Sequence, residues 1–411
     1  MERPELARRL GAVPVAASGA PRRPAATVIA EDRPAAFMAA LARAVAGRGP
    51  VFVADPAWGA GQRAAFDDLL GAGRATAGAA PGRGWLMLPS GGTGGGVKFA
   101  RHDGETIAAA VGGFCGHFGL ARVNAVGVLP LHHVSGLMAW IRCALTGGIY
   151  RPWSWGDLQA GRRPELAAKE TWVLSLVPTQ LQRLLERPEA LAWLRRFEII
   201  FVGGGPVWPE LVGAAARAEL PLSLSYGMTE TAAMVTALRP GEFRAGVRNS
   251  GSALPHAQVT VDADGAVKVA GASVCRGYYP GWSEAREFRT EDLGVVDAAG
   301  RLTVLGRRDA IINTGGEKVR PEEVEQALRA SGEFSDVAVV GVPDAEWGQA
   351  VVACYPAGGR VPDLARAVVA LAGPMKPKRF VAIADWPRNA QGKLNRAALR
   401  GLAGAGDGHP G

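Results

Sequence analysis

The stretch SLSYGMTETAA, from Ser223 to Ala233, decides how this 411-residue chain is read. It reads as a strand ending in Tyr226-Gly227, followed by Thr229 and Glu230, so that a hydroxyl and a carboxylate stand together at a strand's carboxyl end. Ligands of α/β sheets sit at that end. Two readings are open. In one, Thr229 donates to a phosphate oxygen while Glu230 holds Mg²⁺, a hard cation that takes carboxylate and phosphate oxygens. In the other, the two residues cap a helix.

Upstream, short apolar runs bounded by turn residues recur: VFVADP, GWLMLPS, AVGVLPL, TWVLSLVP and FEIIFVGGG. Helical patterns such as TQLQRLL (179–185) and the segment 208–218 lie between several of them. The alternation predicts α/β layers with largely buried strands. In FVGGGPVWPE (201–210), Gly203, Gly204 and Gly205 before Pro206 let a flat ligand lie against bare backbone, with Tyr226 available for its other face. A plain tight turn is the other reading.

After about residue 250 the pattern changes to AQVTVDADGAVKVAG and GVVDAAGRLTVLG, whose Asp-Gly and Ala-Gly turns predict β-hairpins. There Asp292 suits a sugar diol and Arg307 a sugar or phosphate, or the pair belongs to an ordinary turn with a surface arginine. A final unit begins near Asp309, with Gly315 and Gly316 ahead of a helix opened by Pro321 and two glutamates. Its length suits a small α+β domain. Near the end, WPRNAQGKLNRAAL places Lys393 in a polar turn, as a mobile cation with a role or as a solvated lysine. The tail AGAGDGHPG (403–411) is expected to be disordered.

Composition narrows the classes. The chain exceeds the size of a single core, so two or more domains are expected. Its net charge of +8 is spread along the sequence without a long basic run, which fits small polyanions such as nucleotides as well as it fits nucleic acid. Cys115, Cys143, Cys275 and Cys354 lie far apart, so neither a zinc site nor a disulfide framework is indicated, and a reduced cytoplasmic setting fits. The charged N-terminus lacks the apolar core of a signal peptide. The most hydrophobic window, VGVLPLHHVSGLMAWIRCALTGGIY, is broken by Pro130, two histidines and Arg142. It is too polar for a membrane span, and its interruptions are site candidates.

The motifs YGMTE, GRRDAI with GGEKV, and QGKLNR occur in one order at domain-scale spacings. In that arrangement the chain, from about residue 84 to 400, resembles the adenylate-forming superfamily of acyl-CoA synthetases, peptide-synthetase adenylation domains and luciferases. The resemblance implies an α/β fold: a large N-terminal domain, 1–308, of layered sheets and helices plus a β-rich subdomain, and a small mobile α+β domain, 309–411. The resemblance also implies that the N-terminal region before about residue 84 is shortened relative to the superfamily. The implied ligands are ATP, Mg²⁺ and CoA. By position, Gly203 to Pro206 with Tyr226 and Gly227 would flank adenine, Thr229 the adenylate phosphate, and Glu230 the Mg²⁺. Asp292 and Arg307 would hold the ribose, Asp309 would be the hinge, and Lys393 would bridge carboxylate and α-phosphate. Gly315 and Gly316 would line the pantetheine tunnel.

Within the superfamily, PLHHVSGLMAWIRCALTGG and SLVPTQLQRLL look like the 2-succinylbenzoate-CoA ligases of menaquinone and phylloquinone biosynthesis, whose substrate is an aromatic dicarboxylic acid. That likeness puts the substrate's distal carboxylate on Ser135 and Arg142 and has His133 shape the pocket or the tunnel gate. Arg142 needs a partner inside its apolar stretch, either that carboxylate or an internal Asp or Glu. Another aryl- or acyl-CoA ligase, a carrier-protein-loading enzyme and a nucleotide-binding relic are the alternatives.

The glycine run SGGTGGGVKF (90–99) departs from the superfamily's S-G-T-T-G-x-P-K-G. Ser90, Gly91, Thr93 and Gly94 match, but Gly96 replaces the proline, Val97 takes the lysine position, and the cation arrives one residue late as Lys98. Phe99 after it excludes a Walker-type NTPase. Successive strand residues point to opposite faces. Lys98 is counted among the ATP-binding residues with two readings open: it reaches the departing phosphates, or the one-residue shift turns it to the other face and the Ser90 and Thr93 hydroxyls and the glycine amides carry most of that grip.

Overall fold

The computed structural model describes residues 1–11, 25–76, 83–91, 97–388 and 394–405, with the backbone of 409–410. Four sheets follow one another along the chain. The first runs β1 (Thr27–Ile29), β2 (Val51–Val53), β3 (Leu86–Gly91) and β4 (Val97–His102), parallel up to β3 and antiparallel in the β3–β4 hairpin. The segment before residue 84 thus supplies two strands of this sheet. Its helix Pro34–Ala46 also sends Phe37 and Leu41 into one core with Leu86, Leu88 and Ile141.

The second sheet contains β5 (Asn124–Gly127), β6 (Tyr150–Pro152), β7 (Trp172–Leu176), β8 (Ile199–Val202), β9 (Leu222–Met228), β10 (Ala233–Ala237) and β11 (Ser252–Ala253). Its order is β11-β10-β9-β8-β7-β5-β6, with β5 to β9 parallel and β10 and β11 antiparallel. The apolar runs that predicted buried strands form its centre. Trp172, Leu174, Ile200 and Leu222 pack there against Leu181 and Leu184 of the helix Pro178–Leu185 and Leu211 of the helix Pro209–Arg217. Each such leucine, fully withdrawn from water, stabilises the layer by about 2 kcal/mol.

The predicted hairpins form the third sheet, β12 (Ala257–Val261), β13 (Ala266–Gly271), β14 (Glu287–Val296) and β15 (Leu302–Arg307), antiparallel throughout. A 3₁₀ turn, Arg308–Ala310, leads to the fourth. That sheet has β16 (Ile312–Thr314), β17 (Glu317–Val319), β18 (Ala338–Asp344), β19 (Gly348–Pro356) and β20 (Arg379–Ile383), with β19 at its centre. Its core residues, among them Ile312, Val324, Val351 and Phe380, all come from beyond the turn. Arg329, on the helix Pro321–Ala330, stands 5.3 Å from the centroid of the Trp208 ring and touches the preceding part of the molecule.

The tail needs one correction. The helix Arg396–Ala405 extends into the stretch expected to be disordered, because Ala403 is buried beside Leu399 against the β18–β19 hairpin. Among the described residues no helix is long and apolar enough to cross a membrane.

Candidate active site

At the carboxyl end of β9 the chain does not enter an α-helix. It makes a single 3₁₀ turn, Thr229–Thr231, and Ala232, at φ 52° and ψ 48°, reverses it into β10. A left-handed alanine costs roughly 1–2 kcal/mol, so packing on both sides holds it. Capping falls to Thr231, whose Oγ1 lies 3.1 Å from the Met228 N–H that donates to it and donates in turn to the Ala233 carbonyl at 2.6 Å. Gly227 is required because a Cβ there would lie 2.1 Å from the same carbonyl oxygen.

Thr229 and Glu230 are thereby left to face β3. Thr229 Oγ1 donates to the Pro89 carbonyl at 3.3 Å. Glu230 Oε1 accepts two hydroxyls, Ser90 Oγ at 2.5 Å and Tyr278 Oη at 2.6 Å. The Glu230 side chain is buried, at 6% exposure, and among the described residues no cationic side chain forms an ion pair with it. A carboxylate kept from water by neutral donors alone carries uncompensated charge. That donor set fits a divalent cation.

His102 supports the turn from behind. Its Nε2 donates to the Thr229 carbonyl at 2.8 Å while Nδ1 meets Thr106 Oγ1 at 3.1 Å. Only a protonated Nε2 can donate to a carbonyl, which fixes the tautomer. Burial pushes the imidazole down to about 4, so it is neutral at physiological pH.

Lys98 pairs directly across from Ser90 in the β3–β4 hairpin. Its neighbours Val97 and Phe99 face an aromatic cluster with Phe52 and Phe66, so Lys98 takes the other face, with Nζ 5.8 Å from the Tyr278 ring centroid. Despite the one-residue displacement, the cation is turned toward Ser90 and Tyr278. Gly91 ends β3, whereas Thr93, Gly94 and Lys393 lie outside the described residues.

Gly203, Gly204, Gly205 and Pro206 follow β8, beside β9 in the sheet. Gly204 has φ +77°, a Cβ on Gly203 would sit 2.8 Å from the Ser225 carbonyl oxygen, and nothing lies within 4 Å of where a Cβ on Gly205 would be. Bare backbone therefore faces open space. Tyr226 Oη donates to Asp292 Oδ2 at 2.7 Å, and Arg307 Nη1 stands 3.5 Å from the other Asp292 oxygen. Arg307 forms its closer pair with Asp309, at 2.7 and 2.8 Å, which holds the guanidinium above its ordinary pKa. Burial raises Asp292, and burial together with the Asp292 charge raises Tyr226. Four of the predicted residues thus lie in one hydrogen-bonded line.

The third group is built on two helices. Asp103 caps the helix Gly104–Phe118 by accepting the N–H groups of Glu105 and Thr106 at 3.0 and 3.1 Å, and its second oxygen accepts from Arg276 Nε at 3.1 Å. On the helix Val134–Thr146, Ser135 and Arg142 are two turns apart, which places them on one face. The Arg142 guanidinium is 3% exposed and lies 4.2 Å from the Phe114 ring centroid. Its Nε has no hydrogen-bond partner, and among the described residues no carboxylate pairs with it. Burial lowers its pKa to about 10, so it stays charged. Cys143, pushed up to about 12 by burial, supplies no thiolate. His256, forced down to about 4 by burial and by Arg142, remains neutral with neither ring nitrogen hydrogen-bonded. Among the described residues, no internal Asp or Glu partner is therefore present.

Three predicted residues stand elsewhere. His133 is the N-cap residue of the Val134–Thr146 helix, though its side chain makes no cap hydrogen bond. Gly315 and Gly316, at φ +57° and +85°, form the β16–β17 turn, where the Gly315 N–H donates to the Trp347 carbonyl at 2.9 Å. Sequence reasoning missed His102, Phe114, His256 and Tyr278. The nearest signal for Tyr278 was the aromatic pair in CRGYYP, which has no periodicity to assign it a face.

The family described as AMP-binding enzyme matches residues 74–279, and the AMP-binding enzyme C-terminal domain matches residues 323–393. A 2-succinylbenzoate-CoA ligase of Listeria monocytogenes is 30% identical over 287 residues, covering 66% of this chain and 60% of its own length. A probable 2-succinylbenzoate-CoA ligase of Mycobacterium tuberculosis is 32% identical over 311 residues, covering 68% and 74%. The chain spans about 60% of the length of the first of these relatives. The o-succinylbenzoate CoA synthetase of Bacillus subtilis, solved with the acyl-adenylate intermediate OSB-AMP, superposes with a TM-score of 0.67 at 25% identity over 80% of this chain and 70% of that one.

Proposed function

The chain belongs to the AMP-binding enzyme family, and from that premise we propose that it is an AMP-forming acid–thiol ligase that adenylates 2-succinylbenzoate and passes the acyl group to CoA. The step would serve menaquinone or phylloquinone biosynthesis in the cytoplasm. One observation carries the substrate: Arg142 is a buried, charged guanidinium with no carboxylate partner among the described residues. The second carboxylate of an aromatic dicarboxylic acid supplies that partner, with Ser135 on the same helix face and a bidentate geometry open to it.

The adenylation chemistry follows from the charges. A carboxylate must attack an α-phosphate that is already anionic, so the site has to offset repulsion at the reacting atoms. Glu230, held by Ser90 and Tyr278, is the carboxylate that would bind Mg²⁺, which supplies Lewis-acid stabilisation of phosphoryl charge when bound. Thr229 would donate to the same phosphate, its backbone fixed by His102. Gly203 to Pro206 and Tyr226 would flank the base, Asp292 and Arg307 the ribose, and Lys98 with Ser90 the departing phosphates. Lys393 would bridge carboxylate and α-phosphate.

We place the domain boundary in the Arg308–Ala310 turn, because the cores on its two sides share no residue. Rotation about Asp309 would break its pair with Arg307 and exchange Lys393 for the Gly315–Gly316 turn at the site. ATP–pyrophosphate exchange with a panel of acids, followed by AMP release with CoA or a carrier protein, tests the proposal. Exchange that is fastest with 2-succinylbenzoate, and AMP release with CoA, is the expected result. Strong exchange with another acid alone would overturn the substrate, and release with a carrier protein alone would overturn the acceptor.

A further inference from the structure

Asp55, His132 and His133 come together from two different sheets. Asp55 stands two residues past β2 in VADP, while His132 and His133 end the loop between β5 and the Val134–Thr146 helix. One ligand atom from each lies within 4.8 Å of the others, and the two imidazole centroids are 4.4 Å apart. Asp55 and His132 have no place in the adenylation chemistry above, and the likeness gives His133 only the pocket wall or the tunnel gate.

The geometry is poor for a hydrogen bond and good for a metal. His132 Nε2 is 3.4 Å from Asp55 Oδ1, makes no hydrogen bond, and belongs to a side chain only 7% exposed. Two ligands on a tetrahedral ion at its usual bond lengths stand about 3.3–3.4 Å apart. Asp55 is already oriented, since its Oδ1 accepts the Ala57 N–H at 2.8 Å.

We propose that Asp55, His132 and His133 form a three-ligand site for a divalent transition metal of the Zn²⁺ class, separate from the Mg²⁺ carboxylate Glu230. Two imidazoles and one carboxylate suit a borderline-soft ion and disfavour Mg²⁺, which prefers oxygen ligands. With three protein ligands a fourth position stays open to water or to a ligand. A bound ion clamps the end of β2 to the entrance of the helix that carries Ser135 and Arg142, so it fixes the mouth of the acid pocket.

The test uses the full chain, stripped with a chelator and then titrated with Zn²⁺ in the presence of excess Mg²⁺. A chromophoric competitor reads affinity, and Co²⁺ substitution reads ligation through its visible absorption. The expected result is one Zn²⁺ per chain and a tetrahedral Co²⁺ spectrum. Asp55→Asn and His132→Gln should each weaken Zn²⁺ binding at least about 10-fold, while Glu230→Gln leaves it unchanged. Asp55 lies at the edge of the cluster, so its variant reports even if the buried His132 variant does not fold. A wild-type chain that holds no stoichiometric Zn²⁺, or an Asp55→Asn chain that binds it as tightly as wild type, overturns the site.

Discussion

Glu230 and Arg142 are opposite solutions to one problem. Each is a charged side chain almost sealed from water, and among the described residues neither has an oppositely charged partner. Glu230 is held by two hydroxyl donors on a single oxygen, at 2.5 and 2.6 Å, so its position is set by hydrogen bonds. Arg142 leans on the Phe114 ring with its Nε unbonded, and its position is set by packing. A charge kept at such expense is explained by a ligand that arrives with the opposite sign. The carboxylate calls for a cation and the guanidinium for an anion, which together match the metal-assisted activation of a dicarboxylic acid.

The strongest way to break the comparison is to neutralise one charge without changing its shape. Glu230→Gln is expected to slow ATP–pyrophosphate exchange about 100- to 1,000-fold, yet chemical denaturation should find the variant at least as stable as the parent. A loss of stability would mean that the carboxylate is structural. Arg142→Ala comes next. It should lower kcat/KM for the dicarboxylate about 100-fold through KM, in the range seen when one partner of a buried pair is removed. Loss on the monocarboxylate analogue to the same extent would assign Arg142 to the scaffold.

Smaller changes sharpen the contrast. Tyr278→Phe deletes one of the two donors on Glu230 and should weaken the apparent Mg²⁺ dependence by about 5- to 10-fold, measured as the Mg²⁺ concentration that gives half-maximal exchange. The smallest effect on turnover is expected from His102, which acts through the backbone of Thr229. Its pKa falls from 6.5 to about 4 on folding, so the unfolded chain binds the extra proton in that window. The stability it contributes is complete above pH 6.5 and is lost as pH falls toward 4, by about 3 kcal/mol. Urea titrations of wild type and His102→Gln across that window should show a shallower slope in the variant, where His256, also lowered to about 4, still contributes its own.

How much of this was legible in the sequence follows the kind of signal involved. Runs such as TWVLSL and FEIIFV identify buried parallel strands because burial on both faces removes polar residues from them. The hairpins at Asp-Gly and Ala-Gly turns are as clear, because turn geometry restricts residue type. Thr229 and Glu230 were legible as a site or a cap, and only the structure shows Thr231 doing the capping. The side of Lys98 stayed open in the sequence for a specific reason. Strand alternation says that neighbours point to opposite faces but not which face meets the site, and pairing with Ser90 decides that. Tyr278 and His256 were invisible because they act through contacts 48 and more residues distant in the chain, which leave no local pattern.

The central claim is that Arg142 is charged, buried and unpaired because it awaits the substrate's second carboxylate. Its most direct test is the ratio of kcat/KM for 2-succinylbenzoate to that for the analogue lacking the second carboxylate, measured by ATP–pyrophosphate exchange in wild type and Arg142→Ala. The account predicts a strong preference for the dicarboxylate in wild type that collapses toward unity in the variant. An unchanged ratio, whatever the absolute rates, would contradict it.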